Sequence, residues 1–320
     1  MTLNIRYESD GFAAGSPVEN GTGNLTTAWD DLLWAAITVG RPNRQYVFRH
    51  GLASTYEALF RLSLIRMALE EKGTRIRRLQ RTAAARTLDP SEKGAVNYFL
   101  GLAISKLFAS QLLNVPWMLH LDVFRPSLNP VLSGRSRPDL IGEMPGGGWV
   151  ALECKGRLSS PDAETKMKAK TQAQRLVSIN GTAPILQIGG IAYFKNDELE
   201  FFWRDPEPNP NVRDPIVIET HPEIWRHYYT PILDLIQSNP SLSDQMQHEP
   251  IFVPIKQADI QIGILPEVLS ALRQSRWQEA RIIARTNHEG IYLGYRPDGI
   301  RIIAGESWKR PFGETEEPAG

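Results

Sequence analysis

Residues 136–157, SRPDLIGEMPGGGWVALECKGR, contain two short apolar runs joined by a glycine-rich turn. Each run has the length and composition of a buried β-strand, and PGGG between them favours a hairpin. Charged residues nevertheless lie inside both runs: Asp139 in the first, and Glu153 and Lys155 in the second. Because a buried charge is costly unless it is paired or binds a metal, these three side chains are the first candidates for a functional site.

The strand period places the charges together. Side chains two residues apart on a strand point to the same face, so Glu153 and Lys155 share one face while Cys154 points to the apolar face. A hairpin through PGGG brings Asp139 near Glu153. Two carboxylates, helped by a backbone carbonyl, suit magnesium or manganese. A bound metal polarises a phosphate, and a neighbouring lysine can orient or deprotonate water or stabilise developing charge.

The elements around this hairpin follow a defined order. PSEKGAVNYFLGLAISKLFASQLL predicts a long helix with Ser91 as its cap, and PWMLHLDVF predicts a strand before the hairpin. DAETKMKAKTQAQRLVSI predicts a second helix, ended by Asn180 and Gly181, and APILQIGGIAYF predicts a further strand. The predicted order is therefore helix, three strands, helix, strand.

Pro138-Asp139 followed by Glu153-Cys154-Lys155 resembles the signature of the PD-(D/E)xK nuclease superfamily over about residues 90–195. The resemblance implies an α/β (mixed α+β) protein with a restriction-endonuclease-like αβββαβ core. It also implies that Asp139, Glu153 and the backbone carbonyl of Cys154 bind Mg²⁺, which Mn²⁺ can replace, and that Lys155 is the catalytic lysine.

The resemblance suggests further site residues on the two helices. Many superfamily members add an acidic ligand from the first helix, where Glu92 is the available carboxylate and Asn97 is a more central but weaker ligand. Many also carry polar residues on the second helix, where Lys170, Gln172 and Gln174 are candidates. Gln174, one helical turn after Lys170, is the preferred catalytic residue of these three.

Two segments are candidates for contacting nucleic acid. KGTRIRRLQRTAAAR lies in a stretch, from Thr27 to about Arg86, that we predict to be helical, and no acid lies between Gly73 and Leu88. Its arginines either contact phosphates or form a solvated face and pair with acids elsewhere. The candidates are Arg75, Arg77, Arg78 and Arg81 in this run, and Lys168, Lys170 and Gln172 on the second helix.

The composition fits a soluble cytoplasmic protein. The 320 residues are 42% hydrophobic, and 36 basic residues balance 36 acidic ones, so the net charge indicates no partner. One cysteine excludes an internal disulfide and fits a reducing compartment. We find no signal-peptide pattern and no unbroken run of 18 apolar residues, and therefore expect no membrane association. The six histidines show no metal-ligand spacing.

We expect three regions: residues 1–88, an N-terminal arm (1–25) and a helical segment; residues 89–205, the nuclease core; and residues 206–320, a C-terminal α+β segment for partner or substrate binding. The expected function is a metal-dependent nuclease that hydrolyses phosphodiester bonds, of DNA in preference to RNA, in a bacterial defence, repair or mobile-element system. The alternatives are a non-catalytic nucleic-acid- or partner-binding subunit of the same fold and a partner-controlled nuclease toxin. A homodimer or a partner subunit of a larger complex fits each of these.

Purely structural roles are the alternatives for several of these residues. Glu153 and Lys155 can be read as a surface salt pair on an edge strand, with Asp139 as a turn residue. Cys154 is more simply a small buried hydrophobe than a catalytic thiol, and His120 is more simply a core histidine than a site residue.

Overall fold

The computed structural model describes residues 2–39, 52–121, 137–205, 207, 211–237, 251–288 and 294–310. The strands are β1 (Leu3–Asp10), β2 (Gly21–Thr27), β3 (Leu69–Lys72), β4 (Arg77–Arg81), β5 (Met118–His120), β6 (Leu140–Glu143), β7 (Trp149–Arg157), β8 (Leu176–Ile179), β9 (Leu186–Lys195), β10 (Glu198–Arg204), β11 (Ile216–Ile218), β12 (Ile251–Ile255), β13 (Ile260–Ile264) and β14 (Ile300–Ala304). The α-helices are α1 (Trp29–Thr38), α2 (Leu52–Ala68), α3 (Ala83–Thr87), α4 (Pro90–Leu113), α5 (Ala163–Ala173), α6 (Arg226–Gln237), α7 (Pro266–Arg273) and α8 (Trp277–His288).

A nine-stranded mixed sheet forms the centre of the molecule, in the order β2-β1-β4-β10-β9-β7-β6-β5, with β3 beside β4. β5, β6 and β7 form an antiparallel meander, whereas β7 and β9 are parallel. A parallel pair needs a crossover connection, and α5 with the short strand β8 lies in it. The predicted mixed α/β class is confirmed, and the elements from α4 to β9 follow the order expected from the sequence apart from the additional β8.

The hairpin between β6 and β7 has the turn that PGGG favours. Gly147 adopts a φ of +88°, a conformation that glycine reaches without steric cost. Met144 and Gly148 close the turn through a backbone hydrogen bond of 2.7 Å. The turn fixes the register in which Leu140 pairs with Leu152.

Helix α4 crosses the sheet and packs most closely on β7. A Cβ atom on Gly101 would approach the backbone of Lys155 to 2.7 Å, and one on Gly156 would approach the backbone oxygen of Asn97 to 1.7 Å. The two glycines therefore let the helix and strand backbones touch directly beneath the charged end of β7.

Among the described helices, α4 alone is long and apolar enough to cross a membrane by length and composition. Within this fold, 78% of its most apolar window is buried, which is what the core helix of a soluble protein shows. Its N-terminal cap is Asp89 rather than the predicted Ser91, because the Asp89 carboxylate accepts the backbone N–H groups of Ser91 (2.7 Å) and Glu92 (3.3 Å).

The N-terminal region contains more strand than the sequence predicts. β1 and β2 replace the expected N-terminal arm. The basic run contains β4 and the turn that joins it to β3, so the predicted helical pattern from Thr27 to Arg86 is wrong there. Ile76 and Leu79 are three residues apart and imitate a helical period, but Leu79 is buried whereas Ile76 lies exposed in the turn. β1 and β4 join the sheet of the 89–205 region, so the predicted boundary at residue 88 does not separate two sheets.

The C-terminal region combines helices and strands, as the expected α+β segment does. β12, β13 and β14 form an antiparallel sheet, and α7 and α8 lie between β13 and β14 in the chain. The Pro297-Asp298-Gly299 turn is present, with Gly299 at a φ of +79°. Residues 311–320, which include the acidic end of the chain, lie outside the described residues.

A buried lysine and a buried aspartate connect α4 to this region. Lys106 and Asp298 are each 0% exposed. Lys106 Nζ donates to the Thr38 carbonyl (2.7 Å) and to the Tyr228 hydroxyl (3.0 Å), and that hydroxyl donates to Asp298 Oδ2 (2.5 Å). Burial lowers the pKa of Lys106 and raises the pKa of Asp298, while each charge partly offsets the shift of the other.

Candidate functional site

The charged end of β7 extends beyond its partner strand. The β6–β7 ladder ends at the pair Leu140–Leu152, and β7 continues to Arg157. Asp139 directly precedes Leu140. Continuing the same antiparallel register by one residue would place Asp139 opposite Glu153. The Cys154 backbone N–H donates to Asp139 Oδ2 at 2.8 Å, so the structure brings together the two acids that the hairpin predicts.

Burial controls the protonation of both acids. It raises the pKa of Glu153 to about 8, and the neighbouring Asp139 carboxylate adds to that shift. It also raises the pKa of Asp139 to about 6, against the opposing influence of the Cys154 N–H and the charge of Lys155. Within the described part of the chain, Glu153 Oε2 is buried and has no hydrogen-bond partner. The pair therefore favours a proton or a cation between its oxygens.

Lys155 lies on the same face as Glu153, as the strand period predicts. Its Nζ donates to Glu153 Oε1 at 2.8 Å and also to Gln172 Oε1. Gln172 belongs to α5, which packs Ala169 against Ile191, Tyr193 and Phe202 of the sheet. The helix thus holds an amide oxygen against the ammonium group, and the ammonium is held beside the acids.

Gln172, and not the preferred Gln174, is the glutamine of this helix that reaches the site. α5 ends at Ala173, and Gln174 turns away so that its Nε2 donates to the Glu207 carbonyl at 2.5 Å. The structure does not bring Gln174 to the acids, because the helical spacing that predicts its position ends at Ala173.

Glu92 does not approach the acids. It is exposed at the first turn of α4, where its carboxylate accepts the Asp89 backbone N–H at 3.3 Å. Asn97 does line the site, but its amide Nδ2 donates to the Lys93 carbonyl at 2.8 Å. The geometry gives no support to Glu92 as a metal ligand.

An open cleft of about 400 Å³ lies in front of the acids. One wall is the N-terminal face of α4 with Gly94 and Tyr98, and the other is the end of β7 with Lys155 and Arg157. A Cβ atom on Gly94 would meet nothing within 4 Å. The cleft is therefore open to a ligand along the helix.

Tyr98, His120 and Arg137 lie near the acids. None of the three is among the site residues that the sequence predicts. The Tyr98 hydroxyl lies 3.2 Å from His120 Nε2. Burial lowers the pKa of His120 to about 4, with contributions from Arg61 and Arg137, so this imidazole is neutral at pH 7. The charge of Arg137 also opposes the rise in the pKa of Asp139. Only its position directly before Pro138 could have indicated Arg137.

The arginines of the basic run are mostly paired with acids of the same chain. The pairs are Arg77 with Glu71 (2.8 Å), Arg78 with Glu198 (3.1 Å) and Arg81 with Asp197. Arg75 is exposed in the β3–β4 turn. For Arg77, Arg78 and Arg81 this geometry favours the structural alternative over phosphate contact.

Of the α5 cations, Lys168 forms an exposed ion pair with Glu164 at 2.6 Å. The side chain of Lys170 lies outside what the structure describes. Cys154 is buried, and burial raises the pKa of its thiol well above the usual range. It behaves as the small core residue that the sequence favours.

No family model matches this chain, and neither does any curated protein or solved structure. The described residues contain no group of three or more His, Cys, Asp or Glu side chains placed to hold a metal ion. The site consists of two buried acids and a lysine. Backbone groups of β7 lie beside them, because Glu153, Cys154 and Lys155 are consecutive on that strand.

The protonation of the acids predicts how stability depends on pH. The ordinary pKa values are 3.8 for Asp139 and 4.5 for Glu153, and the folded values are about 6 and about 8. Between these limits the folded protein holds protons that the unfolded chain has released, so stability falls as the pH rises through that range. In chelator, we expect wild type to lose on the order of 3 kcal/mol relative to Glu153→Gln between pH 5 and pH 9. Urea unfolding of both proteins across this range measures the difference, and parallel curves would contradict the prediction.

The glycine contact behind Lys155 gives a second stability prediction. We expect Gly156→Ala to lower the free energy of unfolding by about 3 kcal/mol, because the new methyl group overlaps a backbone oxygen that has no room to move. Gly94→Ala is the control, since its methyl group enters open space and alanine favours the helix by up to about 1 kcal/mol. Urea unfolding measures both, and equal stabilities would show that α4 and β7 are not in backbone contact.

Proposed function

We propose that this protein is a metal-dependent nuclease that hydrolyses phosphodiester bonds. The observation that carries the proposal is the buried Asp139–Glu153 pair with Lys155 beside it, at the open end of the β6–β7 hairpin. Two acids are not buried face to face for stability, since like charges raise the pKa of each other and cost free energy. Such a cost is typical of functional sites.

The donors fit a hard divalent cation. Both acids supply carboxylate oxygens, and the buried Glu153 Oε2 has no hydrogen-bond partner among the described residues. The N–H and C=O groups of one strand residue point to the same side, so the Cys154 carbonyl faces the side on which its N–H meets Asp139. A bound Mg²⁺ or Mn²⁺ would polarise a phosphate oxygen and neutralise developing charge. Asp139, Glu153 and the Cys154 carbonyl are the groups we assign to hold it.

Lys155 is the residue we assign to proton transfer or charge stabilisation. Its ammonium is compact, lies 2.8 Å from Glu153 and is steadied by Gln172. From this position it can orient a water beside the acids or stabilise charge on the phosphate. Gln172 acts as a positioning residue, because its amide oxygen holds the ammonium in place.

The element order from α4 to β9 supports a restriction-endonuclease-like core. A helix packs beneath an antiparallel meander, and a second helix leads to a strand parallel to the third. On this basis we propose a nucleic acid as substrate, DNA in preference to RNA, acted on in the cytoplasm. A place in defence, repair or a mobile element, and action as a homodimer or with a partner subunit, belong to the same proposal.

A non-catalytic binding subunit of the same fold is the second candidate. The position of Glu92 favours it, since no third carboxylate reaches the acids within the described chain. The retained Asp139, Glu153 and Lys155 weigh against it, because a site without chemistry gains nothing from buried like charges.

The deciding experiment uses the purified full chain with circular and linear DNA and RNA, single- and double-stranded, in Mg²⁺, Mn²⁺ or EDTA. A nuclease cleaves at least one substrate in metal and none in EDTA. Absence of cleavage, with retained binding of the same nucleic acids, would support the second candidate instead.

A further inference from the structure

Three large aromatic side chains on α2 and α4 are exposed to solvent. Tyr56 is 63% exposed, Phe60 54% and Tyr98 40%, although aromatic residues normally contribute their area to a core or an interface. Tyr56 and Phe60 lie four residues apart on α2 and therefore share one face of that helix. Tyr56, Phe60 and Tyr98 are called the aromatic surface below.

Ring contacts make the aromatic surface continuous with the cleft. Phe60 packs edge-on against Phe99, with ring centroids 5.7 Å apart, and Phe99 packs against Tyr98 at 5.6 Å. Tyr98 lines the cleft together with Asp139 and Glu153. A chain of rings thus leads from the acids across α4 to the outer face of α2.

Tyr98 is held in place from behind. Its hydroxyl lies 3.2 Å from Nε2 of the buried His120. An aromatic ring that is fixed at one end and exposed over much of its area loses little conformational entropy when a flat ligand stacks on it. This is the property expected of a binding platform and not of an incidental surface residue.

The charges beside the aromatic surface suit a phosphate backbone. Lys155 and Arg157 line the same cleft, and Arg157 is exposed. Gly94 also lines the cleft, and a Cβ atom there would meet nothing within 4 Å. Cations that follow a groove, with aromatic faces alongside, are the combination by which proteins bind single-stranded nucleic acid.

We propose that the aromatic surface stacks the unpaired bases of a single-stranded or locally opened nucleic acid while its phosphates follow the cleft. The inference rests on the proposed nuclease function and adds its substrate class. The faces of duplex bases are already covered by their neighbours, so exposed rings can stack only on bases that are free. The protein therefore binds single strands more tightly than duplexes.

Fluorescence anisotropy of the full chain in EDTA tests this without cleavage. The probes are a labelled single-stranded oligonucleotide, its duplex, and an abasic strand of the same length and charge. We expect the single strand to bind most tightly, and we expect Tyr56→Ala/Phe60→Ala to weaken its binding by at least about 10-fold while leaving abasic binding unchanged. Ile282→Ala is the control, because Ile282 is 57% exposed on α8.

Phe60→Leu keeps an apolar contact with Phe99 but removes the flat ring, so it separates stacking from folding. It should weaken single-strand binding and leave the unfolding curve unchanged. Unchanged binding in both variants overturns the inference. A change of oligomeric state on size exclusion, with binding unchanged, overturns it in favour of contact between two copies of the chain.

The experiments distinguish failure of the proposed nuclease function from failure of the proposed base-stacking surface. If no substrate is cleaved in metal but the aromatic variants still lose single-strand binding, the nuclease proposal falls and the binding surface stands. If single strands are cleaved and the aromatic variants bind them normally, the nuclease stands and the binding surface falls.

Discussion

Asp139→Asn is expected to reduce metal-dependent cleavage by at least about 1,000-fold while the protein stays folded. The asparagine carbonyl can still accept the Cys154 N–H, which now meets the carboxylate at 2.8 Å. The substitution therefore keeps the strand contact and removes only the charge that would bind a cation. In chelator the variant should be at least as stable as wild type, because Glu153 no longer faces a like charge.

Cleavage rates, together with urea unfolding, measure this pair of effects. Glu164→Gln is the control, because Glu164 is an exposed acid on α5 whose partner is the exposed Lys168. We expect Mn²⁺ to raise the melting temperature of wild type and not that of Asp139→Asn, which is a readout independent of activity. Cleavage at the wild-type rate by Asp139→Asn would show that the acids are not the metal site.

Local patterns were enough to predict the hairpin and the face of each charged residue. The alternation of side chains between two faces in WVALECKGR and the turn formed by PGGG depend on neighbouring residues alone. Together they place Asp139 beside Glu153. The long apolar period of α4 was equally clear. Such features are decided by backbone geometry and burial within one short segment.

Features that depend on distant residues were not predictable in the same way. Arg78 pairs with Glu198, which is far along the chain, so its sequence neighbourhood leaves open whether it pairs with an acid or contacts phosphate. The spacing of Ile76 and Leu79 imitates a helical period. The pairing of β4 with β3 makes Arg77–Arg81 a strand instead. The sequence does not show where α5 ends, so helical spacing alone favours Gln174 over Gln172 as the site residue.

Lys155→Ala is expected to lower turnover by about 100-fold or more and to change nucleic-acid affinity by no more than a few-fold. The ammonium lies 2.8 Å from Glu153, so under the proposed function we expect its loss to affect the reacting phosphate more than the remainder of the substrate. Lys155→Arg should not restore turnover, because a planar guanidinium cannot replace a compact ammonium between Glu153 and Gln172. Lys256→Ala is the control and should behave as wild type, because Lys256 is exposed and does not line the cleft.

The assay conditions for Lys155→Ala must separate lost chemistry from lost metal. The charge of Lys155 lowers the pKa of Glu153, so its removal raises that pKa further and weakens cation binding at neutral pH. Turnover is therefore compared at saturating Mn²⁺ and at pH values on both sides of 8. A defect that persists at high pH and saturating metal belongs to the chemistry of Lys155. A defect that disappears there assigns the lysine to tuning the acids, and equal losses of affinity and turnover would make it a phosphate contact only.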